Sequence, residues 1–216
     1  MPKRDPSEKT KSEILKMAVQ LFQEKGWANV NIEEIVKKVG VTRGAFYHYF
    51  KSREELVYAV IIQMFLDNNP YTIALKKKGL NGLEKLRFAI KLNLKMQSDP
   101  LLDKDLEKAL DDPIIFKNHF LLIINKCAGF IEKIILNGNE DGSMSVTYPK
   151  QTAQIMLILS NTWLGLDLSE VSYEEYIEKV NFMDCLLKSL GVSVIDDELK
   201  EKFLSFHEDH KKNKGK

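Results

Sequence analysis

Cysteine is nearly absent: Cys127 and Cys185 stand alone in 216 residues. Two thiols that far apart do not make a disulfide scaffold, and their scarcity fits a reducing cytosol. Long apolar runs are missing too. No stretch approaches the roughly 18 to 20 apolar residues that a membrane span needs. The opening Met1-Pro-Lys-Arg-Asp-Pro has basic residues with no apolar segment behind them, unlike a signal peptide. A cytoplasmic protein with no membrane partner is therefore expected. Stretches that alternate as strands do are also lacking, which leaves an all-α fold. There is no Gly-rich phosphate loop, nucleophile elbow or His-Glu-x-x-His, so neither an enzyme nor a cofactor is expected. The Asn137-Gly-Asn-Glu-Asp141-Gly142 stretch imitates the start of a calcium loop. Tyr148 stands where a bidentate Glu would be required, so it reads as a turn. His207 and His210 have no third ligand and sit in an expected mobile tail, so no metal site is expected.

What is present suits packed helices. The chain is 44% hydrophobic and 29% charged, enough for one or two cores. Its net charge of +1 hides a gradient. Residues 1–55 carry 11 Lys and Arg against 8 Asp and Glu, residues 56–195 carry 15 against 17, and the rest balance. A mildly basic head on a mildly acidic body permits a nucleic-acid partner without requiring one.

Apolar residues recur at helical spacing almost throughout. A first helix is expected over Thr10–Lys25, with Ile14, Ala18, Leu21 and Phe22 inward and Gly26 as its cap. A second opens at Asn31, with Glu34 in capping-box position, and stops at Gly40. A third runs from Thr42 to Tyr49 or Phe50, and a fourth from Ser52 to about Asn68. Beyond the Asn69-Pro70 break, helices are expected over Gly82–Gln97, Leu101–Leu110 and Pro113–Leu136, then a polar loop over Asn137–Tyr148. Further helices should cover Pro149–Leu168, Tyr173–Leu190 and, weakly, Asp196–His207, with Lys211–Lys216 frayed. The chain divides into a head at residues 1–51 and a larger bundle at 52–216, joined through the fourth helix.

The informative segment is Ile35–Leu56. Gly40 lets the chain reverse and Val41 plugs the turn. Thr42 caps a two-turn helix whose Phe46 and Phe50, four residues apart, face the core. Arg43, Gly44, Tyr47 and His48 are left on the outer face, as in the recognition element of a helix-turn-helix. Gly44 lets a backbone come close, while Lys51 and the helix start at Ser52 suit phosphate.

These residues resemble the signature of the TetR family of bacterial regulators. They are Leu21-Phe22 with Gly26, Ile32, Ile35 and Gly40-Val41, then Gly44-Ala-Phe-Tyr47-His48-Tyr49-Phe50-Lys51 and Glu55-Leu56. Val36 departs from the usual Ala and Tyr49 from a frequent His. The resemblance implies that Thr42, Arg43, Gly44, Tyr47 and His48 face the DNA groove and that Lys51 holds phosphate. It also implies a helical effector-binding and dimerisation domain. The apolar Gln151–Leu168 and Tyr173–Leu190 helices are the candidates to pair with a second copy, through Leu159, Trp163, Leu166 and Leu187. A pocket for a small apolar or amphipathic effector would draw on Phe65, Leu92, Met96, Phe116, His119, Phe120, Ile123, Cys127 and Phe130. The expected function is a homodimeric repressor that leaves a palindromic double-stranded operator when effector binds. The alternative is a ligand-independent regulator or activator working through protein partners, and a third reading is an enzyme or structural helical module in which the head is mere packing.

Overall fold

The computed structural model describes residues 6–26, 29–97, 109–165 and 170–214, and among these every regular element is a helix. The chain separates into two compact units. One contains the chain through Asn68 and the 101–116 segment; the other contains 69–100 and everything from Lys117 onward.

In the first unit, α1 spans Pro6–Lys25, α2 Ile32–Val39, α3 Arg43–Tyr49 and α4 Arg53–Asp67. Helix α1 begins four residues earlier than its apolar pattern, with acidic Glu8 in its first turn. Each later start is set by a side chain that satisfies an otherwise unpaired amide. Asn31 Oδ1 accepts from Glu34 N at 2.8 Å, Thr42 Oγ1 from Ala45 N at 3.1 Å and Ser52 Oγ from Glu55 N at 3.1 Å. Gly40 ends α2 at φ 79°, in the left-handed region where a Cβ is unfavourable. Ile14, Ala18, Leu21, Phe22, Ile35, Phe46, Phe50, Leu56 and Val60 form one buried cluster under all four helices. Burying each large side chain contributes about 1.5–3 kcal/mol, so this cluster holds the short α3 in place.

The second unit contains α5 (Pro70–Leu75), α6 (Gly82–Gln97), α8 (Ala128–Glu140), α9 (Pro149–Ile158), α10 (Tyr173–Ser189) and α11 (Asp197–Lys214), while α7 (Pro113–Leu122) leads into it. Helix α6 packs against α5, α8 and α11, and α8 packs against α9. Arg87 on α6 donates to Val194 O at 2.9 Å and Ser193 O at 2.7 Å, and pairs with Asp196 at 3.1 Å. That fork fixes the turn into α11.

Several sequence expectations are corrected. The helix expected to stop at Leu136 continues to Glu140, so Asn137 and Gly138 are helical rather than loop. There α8 meets the start of α6 closely: Gly82, with no Cβ, lets its backbone approach that of Gly138. Two π-helical turns, Ile123–Cys127 and Leu159–Trp163, interrupt helices expected to be continuous. Gln154 Nε2 donates to Ile124 O at 3.2 Å, and Asn161 Nδ2 donates to Leu157 O at 2.9 Å, so side chains bond main-chain carbonyls in and beside these turns. The Asn69-Pro70 break starts α5, with Asn69 Oδ1 accepting from Tyr71 N and Thr72 N at 3.0 Å each. The last helix is neither weak nor short: α11 reaches Lys214 and buries Leu199, Phe203, His207 and His210. His207 stacks on Tyr176 with ring centroids 4.5 Å apart, so these histidines are core groups rather than tail groups. Of the expected 101–110 helix, only residues 109 and 110 fall within the described residues, and Leu166 lies outside them.

Candidate nucleic-acid interface

Helix α3 has only seven residues, and its seating decides which side chains face outward. Phe46 and Phe50 are buried with ring centroids 5.8 Å apart, and Tyr47 meets Phe46 edge-on at 5.3 Å. With that side anchored, Thr42, Arg43, Gly44 and His48 are exposed, while Tyr47 is half-buried. Gly44 has only the Thr42 hydroxyl near its missing Cβ, at 3.9 Å, so the backbone there is open to close approach.

Charge on this face is organised around Arg43. Its Nη1 lies 3.2 Å from Glu33 Oε1 on α2, with both side chains mostly exposed. Its guanidinium lies 5.8 Å from the Tyr47 ring centroid. Hydrogen bonding to Tyr47 raises the pKa of Arg43, assisted by the Tyr47 and Glu33 charges. Glu33 was not anticipated from the sequence: it is ten positions before Arg43, and only the Gly40 turn brings them together. Lys51, exposed, donates from Nζ to Tyr47 O and His48 O at 3.2 Å each. It therefore caps the C-terminal end of α3, where a cation is favourable. The same residue's amide donates to Glu55 Oε2 at 2.6 Å, which with Ser52 completes a reciprocal cap on α4.

The expected effector-pocket residues do not all belong together. Phe65 and Phe116 fall in the first unit, and the others in the second. Within the second, Ile123 and Cys127 are buried in the π-turn, while Leu92, Met96, His119, Phe120 and Phe130 are half-buried. Burial pushes the His119 imidazole down to about 4.

Of the expected dimer residues, Leu159 and Trp163 are half-buried, whereas Leu187 is only 2% exposed within its own chain. Leu187 continues the stripe Tyr176, Val180, Met183 that packs α10 inward, and so offers no surface to a partner. The sequence reading missed Phe182, which stands off that stripe, is 57% exposed and meets Trp163 edge-on at 5.4 Å. Its signal was an aromatic residue out of phase with the inward set.

Residues 14–60 match the family described as bacterial regulatory proteins, tetR family, and residues 102–185 match the tetracyclin repressor-like C-terminal domain. An uncharacterized HTH-type transcriptional regulator, YerO, of Bacillus subtilis is 45% identical over 47 residues, 22% of this chain and 16% of its own length. The transposon Tn10 TetC protein of Escherichia coli is 40% identical over 73 residues, 34% of this chain and 36% of its own. The chain thus spans about a third or less of the length of these curated relatives. At the level of fold, the structure of a TetR-family transcriptional regulator from Pectobacterium atrosepticum covers 88% of this chain and 98% of its own. It does so at 21% identity and a TM-score of 0.57. The amino-terminal and carboxy-terminal matches together place this chain in the TetR family of bacterial regulatory proteins.

Proposed function

We propose that the protein is a homodimeric transcription regulator that holds a palindromic double-stranded DNA operator through α3. A small apolar or amphipathic effector, bound in the second unit, releases it. The observation that carries the reading is the seated α3. Phe46 and Phe50 fix one side; Thr42, Arg43 and Gly44 stand outward at the start of the helix and Tyr47 and His48 in its last turn, on a helix short enough to enter a major groove. Lys51 is the phosphate-facing cation in this reading.

The exposed Phe182 with Trp163 and Leu159 supports pairing of α9 and α10 with a second copy. Two heads then read two half-sites about 34–36 Å apart or a multiple of that. Met96, His119, Phe120, Ile123, Cys127 and Phe130 support the effector part, being mainly apolar with an imidazole kept neutral by burial. The π-turn that carries Ile123 and Cys127 adds to this, since such turns concentrate at functional sites.

The test is selection from a pool of random-sequence duplexes at physiological salt. A two-fold symmetric consensus is expected. Binding with no sequence preference, or a single asymmetric half-site at saturation, would sink the proposal. Once a ligand is found by thermal shift, calorimetry on free and operator-bound protein should give unequal affinities. The same factor must appear in the operator affinity, commonly about 1–3 kcal/mol of coupling.

A further inference from the structure

We propose that Glu33 is a positioning and specificity residue: it aims Arg43 at a base edge and withholds it from phosphate. This rests on the reading of α3 as the DNA-reading helix. The two acidic residues that open α2 differ in what they do. Glu34 is held by Lys25 at 2.6 Å and by Lys38 at 4.0 Å, so it ties α1 to α2 and serves the fold. Glu33 points instead across the turn to Arg43 Nη1, with its side chain 61% exposed on the face that carries the reading residues.

The contact is to one guanidinium nitrogen, Nη1. A guanidinium held by a carboxylate through Nη1 can still offer a side-on fork of Nε and Nη2, the fork that pairs with guanine O6 and N7. Tyr47 lies against the guanidinium as well, at 5.8 Å from the ring centroid. Glu33 and Tyr47 therefore restrict the side chain before DNA arrives, which limits the ordering cost of binding. Toward a phosphate backbone the effect is opposite. The ion pair presents little net charge, and the carboxylate repels phosphate at close range. A sequence with guanine in register is favoured by the preset fork, while other sequences meet a neutralised arginine. Specificity arises here as much from weakened binding to the wrong DNA as from contacts to the right one.

The experiment uses full-length protein, the duplex selected from the random pool and a shuffled duplex of the same composition. Affinities are measured across a salt series for wild type, Glu33→Gln, Glu34→Gln, Arg43→Ala and the Glu33→Gln/Arg43→Ala pair, with thermal melting as the fold control. Glu33→Gln is expected to lower the selected-to-shuffled affinity ratio about five-fold per protomer, the effect of one unit charge near contact in water. Its salt slope on shuffled duplex should steepen by about 0.9 per protomer, as Arg43 becomes free to meet phosphate. Glu34→Gln should leave the ratio unchanged, and in the Arg43→Ala background Glu33→Gln should no longer move it. An unchanged ratio and slope for Glu33→Gln, in a wild type that still selects a consensus, overturns the role of Glu33 and leaves DNA reading by α3 intact. A ratio change that persists without Arg43 also overturns it, since the carboxylate would then act as a plain charge. A wild type that selects no sequence removes the DNA-reading premise itself.

Discussion

Gly82 and Gly138 meet backbone to backbone: a Cβ built on Gly82 would lie 2.3 Å from both Cα and N of Gly138. Neither chain can yield there without moving a helix. Gly82→Ala is therefore expected to destabilise the protein by about 3 kcal/mol or more, through overpacking against backbone. Gly138→Ala should cost less, because its Cβ meets the flexible end of Met144, with Cε at 2.2 Å. Gly129→Ala, a helical position with nothing within 4 Å, should stabilise by up to about 1 kcal/mol. Urea unfolding of the three variants checks the order; equal costs at Gly82 and Gly129 would show that the crossing relaxes freely.

Lys51→Ala and Arg43→Ala should separate positioning from reading. Loss of Lys51 should weaken binding to all duplexes alike and lower the salt slope by about 1 per protomer. Loss of Arg43 should cost about 1–3 kcal/mol on the selected duplex and relax preference at one symmetric pair of positions. Selection repeated with each variant decides this. A changed consensus with Lys51→Ala would make it a base reader, and a uniform loss with Arg43→Ala would make that residue a phosphate contact.

The head was legible in the sequence because its determinants are local. Asn31, Thr42, Ser52 and Gly40 each act on amides or dihedrals within a few residues, so spacing alone identified the ends of α2, α3 and α4. The second unit was less legible where distant segments decide the outcome. Gly138 read as a loop residue because the segment that packs on its backbone, at Gly82, is far away in sequence. His207 and His210 read as tail residues because Tyr176, which buries one of them, lies on another helix. Ion pairing of Glu33 to Arg43 left no trace in spacing, since it depends on how the turn folds back.

Phe182→Glu is expected to dissociate the proposed dimer without unfolding the chain, because Phe182 is exposed in the single subunit. Burying an unpaired carboxylate at an interface costs several kcal/mol. Trp163→Glu should do the same with some loss of stability, since Trp163 is half-buried and lies 5.9 Å from Lys179 Nζ. Leu187→Ala should instead cost about 2–5 kcal/mol of folding stability, as for any filled core site. Sedimentation at several concentrations, with parallel unfolding curves, distinguishes these; an intact dimer in both Glu variants would place the interface elsewhere.

Acid should destabilise the protein through His119. Its folded-state pKa of about 4 lies below the ordinary 6.5. The unfolded chain therefore binds that proton first, and stability falls as pH drops from 6.5 toward 4 while being fully present above 6.5. At about 1.36 kcal/mol per unit, the loss is on the order of 3 kcal/mol. His119→Leu should flatten this part of the profile, measured as the urea midpoint at pH 7 and at pH 4.5. The same drop in both proteins would place the acid sensitivity on other groups.

The π-turns at Ile123–Cys127 and Leu159–Trp163 have a consequence for chain length. A π-turn takes up one residue more than the α-turn it replaces, while the helices on either side keep their faces. Removing one residue within 123–127 would close the turn and leave Ile131, Ile134 and Ile135 facing the core. The same deletion inside Ala128–Glu140 would rotate everything after it by about 100° and turn that core face toward water. The two turns are thus the places in these helices where the chain carries slack, and where a lineage can lengthen or shorten it by one residue without rebuilding the bundle.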